Sequence, residues 1–179
     1  MFDKLFELLR TIWNELVPWF VVSDFESSCV LRFGKFNRVV NAGLHYKIPF
    51  VDTPYTYHIR TATSHLSSQT LTTSDNKSIV IKVIVRYNIY DIKKYTLNVW
   101  SAHDAIGDTV QGIINNIVKV STWEKIMSGI EEESTIQAQE ALSMWGIKIE
   151  KITLSDLGII KTIRLLNNYD TSSNQTTAH

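Results

Sequence analysis

A run of alternating side chains from residue 79 to residue 89 constrains the fold of this chain more than any other feature. Apolar side chains occupy every second position of the run, at Ile79, Ile81, Val83, Val85, Tyr87 and Ile89. The polar residues Lys82, Arg86 and Asn88 lie between them, and β-branched residues dominate. Because successive side chains of a strand point to opposite faces, one face of this strand is predicted to meet a core and the other to meet solvent.

The hydrophobic period changes from two to about 3.6 after Asp91. A short helical piece around 92–99 precedes a longer helix whose apolar stripe consists of Ala102, Ile106, Val110, Ile113, Ile114, Ile117 and Val118. The segment 147–154 alternates again and predicts a strand that returns to the sheet. Strands followed by helices and a returning strand predict an α+β fold, with a mostly antiparallel sheet packed by helices.

Local signals predict where two further helices begin and where the second one ends. Ser121 with Glu124, and Ser128 with Glu131, fit the capping box, in which a serine and a glutamate satisfy reciprocal backbone donors. Gly146 is predicted to end the second helix, since glycine takes the left-handed conformation of a helix cap at little cost.

Two short apolar runs, 29–33 and 44–50, predict a pair of strands joined by a basic loop. Gly34 and Gly43 can adopt positive φ at little cost, so each is expected where the backbone reverses. Pro49 removes a backbone donor, which predicts that the second run is an edge strand or the end of a strand.

This unit closely resembles the signature of the SPFH or band 7 family, which includes the stomatin, prohibitin and flotillin proteins. The family has an R-F-G-K turn followed by a P-G-L-H-x-K-I-P-F-V-D segment, and Ala42 stands here where the family usually has proline. Thr73 and Asp75 resemble the family's T-x-D run. The principal motif positions are Arg32, Phe33, Gly34, Lys35, Gly43, Leu44, His45, Pro49, Asp52 and Gly146.

The resemblance implies a non-enzymatic, membrane-associated scaffold. Members of this kind oligomerise and organise membrane lipids or partner membrane proteins, so a homo-oligomer and a membrane protease or channel as partner are expected. The resemblance also implies a peripheral or monotopic protein whose domain lies on the cytoplasmic side. Relatives continue into a long coiled coil, whereas this chain stops after roughly three helical turns. This difference argues against assembly into a large ring.

The first 22 residues are predicted to form an amphipathic membrane-associating segment whose helix ends near Pro18. The apolar run that follows is shorter than the roughly 20 residues needed to span a bilayer, and indole rings favour the membrane interface. The alternative is that this helix docks on a partner protein, which would make the chain a soluble adaptor. The candidate membrane-associating residues are Phe2, Leu5, Phe6, Leu9, Ile12, Trp13, Leu16, Trp19 and Phe20.

Four cations in the Cys29–Asp52 unit are candidate contacts for lipid head groups. They are Arg32, Lys35, Arg38 and Lys47. A cation near an anionic leaflet contributes on the order of 1 kcal/mol to binding. The alternative is a solvated basic loop, because most surface charges contribute little.

Composition and motifs argue against several other functions. Eighteen basic residues balance eighteen acidic ones, so the chain lacks the basic excess of nucleic-acid-binding domains. The single cysteine, Cys29, is expected to be a buried inert thiol. The five histidines include no H-x-x-x-H pair, and phosphate-binding and nucleophile motifs are missing from the sequence. The sequence therefore predicts no enzyme activity, no metal and no cofactor.

The predicted organisation is a single domain with short flanking segments. A linker is expected at 23–28, the SPFH or band 7 domain at 29–157, a short helix at 158–170 and a disordered polar tail at 171–179.

Overall fold

The computed structural model describes residues 17–160 together with Glu7. The nine strands are β1 Trp19–Val22, β2 Glu26–Arg32, β3 Lys35–Val40, β4 Gly43–Tyr46, β5 Asp52–His58, β6 Ala62–His65, β7 Gln69–Thr72, β8 Ser78–Ile89 and β9 Ile147–Ile159. The four helices within 17–160 are α1 Ile92–Asn98, α2 Ala102–Val120, α3 Trp123–Ser128 and α4 Glu131–Ser143.

The largest sheet is built around β8. One edge of β8 pairs with β6 and β7, and its other edge pairs with β9 along nearly its whole length. All of the pairings between the described strands are antiparallel. The α+β fold with an antiparallel sheet is therefore confirmed.

The main core lies between this sheet and the helices. The alternating face of β8 is buried at Ile79, Ile81, Val83 and Val85, as its period predicted. The stripe of α2 packs against it through Ile106, Val110, Ile114, Ile117 and Val118. Helix α4 adds Ala138 and Leu142 to the same core.

Both predicted capping boxes are wrong in detail. Helix α3 is capped by Thr122, whose hydroxyl accepts a hydrogen bond from Lys125 N, because the preceding Ser121 is already buried. Ser128 remains inside α3 and its hydroxyl donates to the carbonyl of Lys125. Gly146 does adopt a left-handed conformation with φ of 74°, which confirms the predicted stop after α4.

Helix α4 runs beside the open edge of β9 and supplies it with hydrogen-bond acceptors. The backbone N–H groups of Ile149, Ile152 and Leu154 donate to side-chain oxygens of Gln139, Thr135 and Glu131, at 2.7, 3.1 and 2.7 Å. These three acceptors follow one another at four-residue steps, so they share one side of the helix. The helix thereby covers a strand edge that would otherwise be unpaired.

The N-terminal strands form two smaller sheets with a small core of their own. One sheet has the order β3–β2–β5, and β1 pairs with β4 in the other. Val22, Val30 and Val40 form the small core, and Phe20 packs against it. The basic loop predicted between two strands contains β3, and the run 44–50 is a strand only as far as Tyr46.

Three predicted boundaries differ from the structure. Residues 19–22, predicted to belong to the N-terminal segment, form strand β1 of the domain, because they pair with β4 and bury Val22. The linker predicted at 23–28 is shorter, since β2 begins at Glu26. The helix predicted to start at residue 158 is instead strand up to Ile159, because β9 stays paired with the start of β8.

The predicted N-terminal helix and C-terminal tail lie outside the described residues, apart from the helical Glu7. So do the candidate membrane-associating residues Phe2, Leu5, Phe6, Leu9, Ile12, Trp13 and Leu16. Within the described part of the chain, no helix has both the length and the apolar character needed to cross a membrane.

Candidate functional site

An ion pair between Arg32 and Asp52 joins the two halves of the motif. The guanidinium Nε and Nη2 atoms donate to the two carboxylate oxygens at 2.8 and 3.1 Å. The Asp52 side chain is fully covered, and it also accepts from Ile48 N at 3.0 Å. A backbone hydrogen bond from Phe33 N to the carbonyl of Val51 lies beside the pair, at 3.0 Å. The turn after β2 and the turn before β5 are thus held together.

The hydrogen bond from Arg32, together with a smaller contribution from the backbone N–H of Ile48, lowers the pKa of Asp52 from 3.8 to about 2. The carboxylate therefore stays charged at neutral pH. Arg32 was predicted to contact lipid head groups, but its guanidinium is already engaged by this carboxylate. The structure thus gives Arg32 a role in holding the two turns together, and its contact with lipid head groups stays a prediction.

The two turns that this ion pair holds each present an exposed phenylalanine. Phe33 and Phe50 are 77% and 76% exposed, and both have positive φ, of 48° and 62°. Positive φ is unusual for an aromatic residue and costs on the order of 1–3 kcal/mol. Backbone strain that presents apolar rings to the outside points to a functional contact at these two turns.

The two-stranded sheet of β1 and β4 has one apolar face that is uncovered. In the antiparallel register Trp19 lies opposite Tyr46, and Val21 lies opposite Leu44. These four side chains are 58%, 59%, 72% and 68% exposed. We call this set, Trp19, Val21, Leu44 and Tyr46, the outer ribbon face. An exposed cluster of large apolar side chains is typical of a contact with a membrane or a protein.

The opposite face of the same ribbon turns inward. Phe20 lies opposite His45, with ring centroids 5.8 Å apart, and Phe20 packs against the small core. Phe20 was predicted to associate with the membrane, and the strand alternation instead turns it toward the small core. His45 has a ring nitrogen 2.6 Å from the carbonyl of Asn41, consistent with the prediction that its ring is satisfied within the sheet.

Two of the remaining candidate cations, Arg38 and Lys47, lie close to the outer ribbon face. Arg38 extends from β3 and donates from Nη2 to the carbonyl of Tyr46. Lys47 directly follows Tyr46, and its backbone N–H donates to the carbonyl of Pro18 at 2.6 Å. Lys35 is exposed beside the Phe33 turn. Cationic side chains therefore border both the ribbon and the turn.

The T-x-D segment has a structural role. The Asp75 carboxylate is bound by Lys77 Nζ at 2.8 Å, by the Thr73 hydroxyl at 2.6 Å and by Trp123 N at 3.2 Å. The hydrogen bonds from Lys77 and Thr73 lower the pKa of Asp75 to about 2. Because Ser74 N also donates to the carbonyl of Ser121, this turn fastens β7 and β8 to the junction of α2 and α3.

Side chains suited to metal binding do not gather in the described residues, where no group of three or more His, Cys, Asp and Glu residues occurs. Cys29 is fully buried, as predicted, and burial raises the pKa of its thiol.

Val21 and Tyr46 of the outer ribbon face are not among the membrane-associating residues predicted from the sequence. Residues 16–22 form a nearly continuous apolar run, so the alternation of β1 is hidden within it. The detectable signal was the apolar Leu44 beside Tyr46 at a two-residue spacing, which is the period of a strand with one apolar face.

Comparison with known proteins places these features in a family. The model of the SPFH domain / Band 7 family matches residues 21–166. Mouse Stomatin-like protein 3 is 26% identical over 144 residues, which cover 78% of this chain and 50% of that protein. Stomatin-1 of Caenorhabditis elegans is 26% identical over 141 residues, covering 76% of this chain and 43% of the relative.

The Escherichia coli protein named Modulator of FtsH protease HflK is 24% identical over 110 residues, covering 62% of this chain and 26% of that protein. The chain thus spans half or less of the length of these three relatives. The family model covers most of the chain and includes both the Arg32–Asp52 pair and the left-handed Gly146. This chain therefore belongs to the SPFH domain / Band 7 family.

Proposed function

We propose that this chain is a non-enzymatic membrane scaffold that assembles with itself and organises lipids or partner membrane proteins. The observation that carries the proposal is the outer ribbon face, where Trp19 and Tyr46 lie beside two exposed aliphatic side chains. Trp and Tyr are enriched at membrane interfaces, because an apolar ring is combined with a polar group. The ribbon also follows directly on the N-terminal segment that is predicted to associate with the membrane.

The distribution of charge supports one orientation on the membrane. Between residues 17 and 100 there are ten basic and five acidic side chains, and between 101 and 160 there are four basic and nine acidic ones. An anionic leaflet attracts the first segment and repels the second. The strands β1–β5 together with α1 would then face the lipid, with α2–α4 on the side away from it.

Lys35, Arg38 and Lys47 would contact lipid head groups at the border of the apolar surface. Their joint replacement by glutamine is expected to weaken binding to anionic liposomes, with each cation contributing on the order of 1 kcal/mol. Binding to neutral liposomes should change little. Unchanged binding to anionic liposomes would argue against this role for the cations.

The test of the ribbon is liposome flotation of the intact chain and of the variant Trp19→Thr, Val21→Thr, Leu44→Thr. Threonine preserves strand propensity and removes the apolar surface, so the variant should float less well. Binding that depends on apolar burial should also persist in moderate salt, since salt screens only the electrostatic part.

A matched control removes exposed apolar surface elsewhere. Val120 and Met127 are exposed on the helical side, and the variant Val120→Thr, Met127→Thr should float like the parent chain. Equal flotation of the ribbon variant and the parent would refute the ribbon as the membrane contact. A parent chain that stays with the soluble fraction would refute the membrane scaffold and favour the adaptor whose N-terminal helix docks on a protein.

The partner that we propose is a membrane protease or a channel, with the domain on the cytoplasmic side. The E. coli relative is named Modulator of FtsH protease HflK, which supports a protease as the partner. Crosslinking in native membranes followed by identification of the captured protein tests this part. Capture of neither kind of partner by the intact chain would contradict it.

A further inference from the structure

Two exposed stripes of opposite charge lie on different helices of the domain. On α4 and its C-terminal cap, exposed side chains recur at every fourth position, which places them on one side of the helix. We call this set, Glu132, Ile136, Glu140 and Met144, the acidic stripe. Around α1, exposed aromatic, cationic and aliphatic side chains recur every three or four residues. We call this set, Tyr90, Lys93, Lys94, Leu97 and Trp100, the basic stripe.

Each stripe combines charges with large apolar side chains that are uncovered. Ile136 and Met144 are more than half exposed, and Trp100 is fully exposed. Tryptophan is among the residues that most often anchor a protein interface when a second surface covers it. Both stripes therefore have the apolar anchors, as well as the charges, of an interaction surface.

The charges of the two stripes are not used on each other within one chain. Lys94 Nζ is 4.0 Å from its neighbour Asp91, and Lys93 Nζ lies 4.5 Å above the ring of Phe36. The ion pairs found among residues 17–160 include none that joins Lys93 or Lys94 to the acidic stripe. Contacts of this exposed kind contribute little to stability, so these charges remain available to a second molecule.

We infer that the acidic stripe of one copy of this chain binds the basic stripe of a second copy. Charge complementarity commits the surface to this occupant, since two carboxylates lie beside apolar side chains in one stripe and two ammonium groups lie between apolar side chains in the other. The stripes adjoin where Tyr90 Oη donates to the carbonyl of Ser143 at 3.1 Å, so each chain presents both halves of the contact. A chain with both halves can join copies repeatedly or reciprocally.

This inference rests on the assembly part of the proposed function, and charge exchange tests it. Three variants of the full-length chain in detergent are compared with the parent by sedimentation: Glu132→Lys with Glu140→Lys, Lys93→Glu with Lys94→Glu, and the four changes together. Each double variant should weaken self-association at least about tenfold, because like charges then face each other. The fourfold variant should restore association to within about threefold of the parent, since opposite charges meet again.

The matched control is Lys82→Glu with Lys148→Glu, which makes the same change of charge on exposed strand positions outside both stripes. It should associate like the parent. Circular dichroism and thermal unfolding check that every variant is folded. Flotation of the same variants separates the two proposals, because a variant that floats but no longer assembles changes only the contact between copies.

Three results would overturn the inference. One is a parent chain that stays monomeric at high concentration, and another is a double variant that associates as the parent does. The third is a fourfold variant that associates no better than the two double variants.

Discussion

Asp52 is a covered carboxylate that pairs with the Arg32 guanidinium and accepts a hydrogen bond from Ile48 N. The substitution Asp52→Asn keeps the size of the side chain and removes the charge. We expect it to lower the free energy of unfolding at neutral pH by about 1.5–3 kcal/mol, the range for hydrogen bonds to charged groups. The loss should fall toward the lower value, because Arg32 can still be hydrated once its partner is neutral. Urea denaturation at pH 7 measures the difference.

The pH dependence of this difference has a definite sign. The pKa of Asp52 is lowered in the folded chain, from 3.8 to about 2, so the folded state binds fewer protons than the unfolded state between these values. The stabilisation is fully present above about pH 4 and is lost as the pH falls toward 2. The parent and Asp52→Asn should therefore converge in stability toward pH 2. A gap that stays constant from pH 7 to pH 2 would contradict this explanation.

Gly146 and Gly112 form a matched pair of glycines. Gly146 has φ of 74°, and a Cβ atom added there would lie 2.3 Å from the carbonyl oxygen of Asp91. Gly146→Ala should destabilise the fold by more than the roughly 1–3 kcal/mol of a strained left-handed residue. Gly112 lies inside α2 with open space around it, so Gly112→Ala should stabilise by up to about 1 kcal/mol. Thermal unfolding of both variants should show shifts of opposite sign, and equal shifts would refute the argument.

Helix α4 covers the open edge of β9 with side-chain hydrogen-bond acceptors. Thr135→Val and Gln139→Leu together leave the N–H groups of Ile152 and Ile149 without their acceptors. An unsatisfied buried donor costs about 1–3 kcal/mol, and an uncovered strand edge can pair with other chains. We expect both a lower unfolding temperature and increased light scattering on heating.

The control for this prediction is Gln137→Leu, which places a leucine on an exposed position of the same helix. Scattering from the control variant that equals that of the double variant would assign the effect to surface hydrophobicity instead of the strand edge.

The sequence predicted elements whose period is clear and missed those that depend on a distant neighbour. The alternation of β8 and the stripe of α2 are local properties, and both predictions are confirmed. The hydroxyl of Ser121 is buried, so Thr122 became the cap instead. Strand β1 exists because β4 pairs with it, and the apolar run around it is equally compatible with a helix. A contact between residues far apart in the chain cannot be detected in a local sequence pattern.

The candidate site was predictable in part. The motif residues between Arg32 and Asp52 could be named from the resemblance, but their ion pair depends on how two turns meet in space. The inward orientation of Phe20 and the outward orientation of Trp19 likewise follow from strand pairing. The cations Lys35, Arg38 and Lys47 remain a prediction as lipid contacts.

Strand β1 belongs to the domain, so the position at which the N-terminal segment is cut should affect stability. Deletion of residues 1–22 would take away β1 and expose the small core around Val30 and Val40, since Val22 is buried there. Deletion of residues 1–16 leaves the strand in place. We expect the shorter deletion to unfold cooperatively at nearly the temperature of the intact chain and the longer one to unfold at a lower temperature. Equal unfolding temperatures for the two deletions would show that β1 contributes nothing to the fold.

Because β8 is the central strand and one of its partners follows much later in the chain, the main sheet is completed late in synthesis. Its partners β6 and β7 precede it, whereas β9 follows only after all four described helices. Ile89 of β8 pairs with Ile147 of β9, so more than fifty residues separate the two strands. A nascent chain therefore carries β8 with one edge paired and the other edge open while these residues emerge. Exposed edges and incomplete cores are the features of folding intermediates that aggregate. Among the described strands, the last to leave the ribosome is thus the one that closes the main sheet.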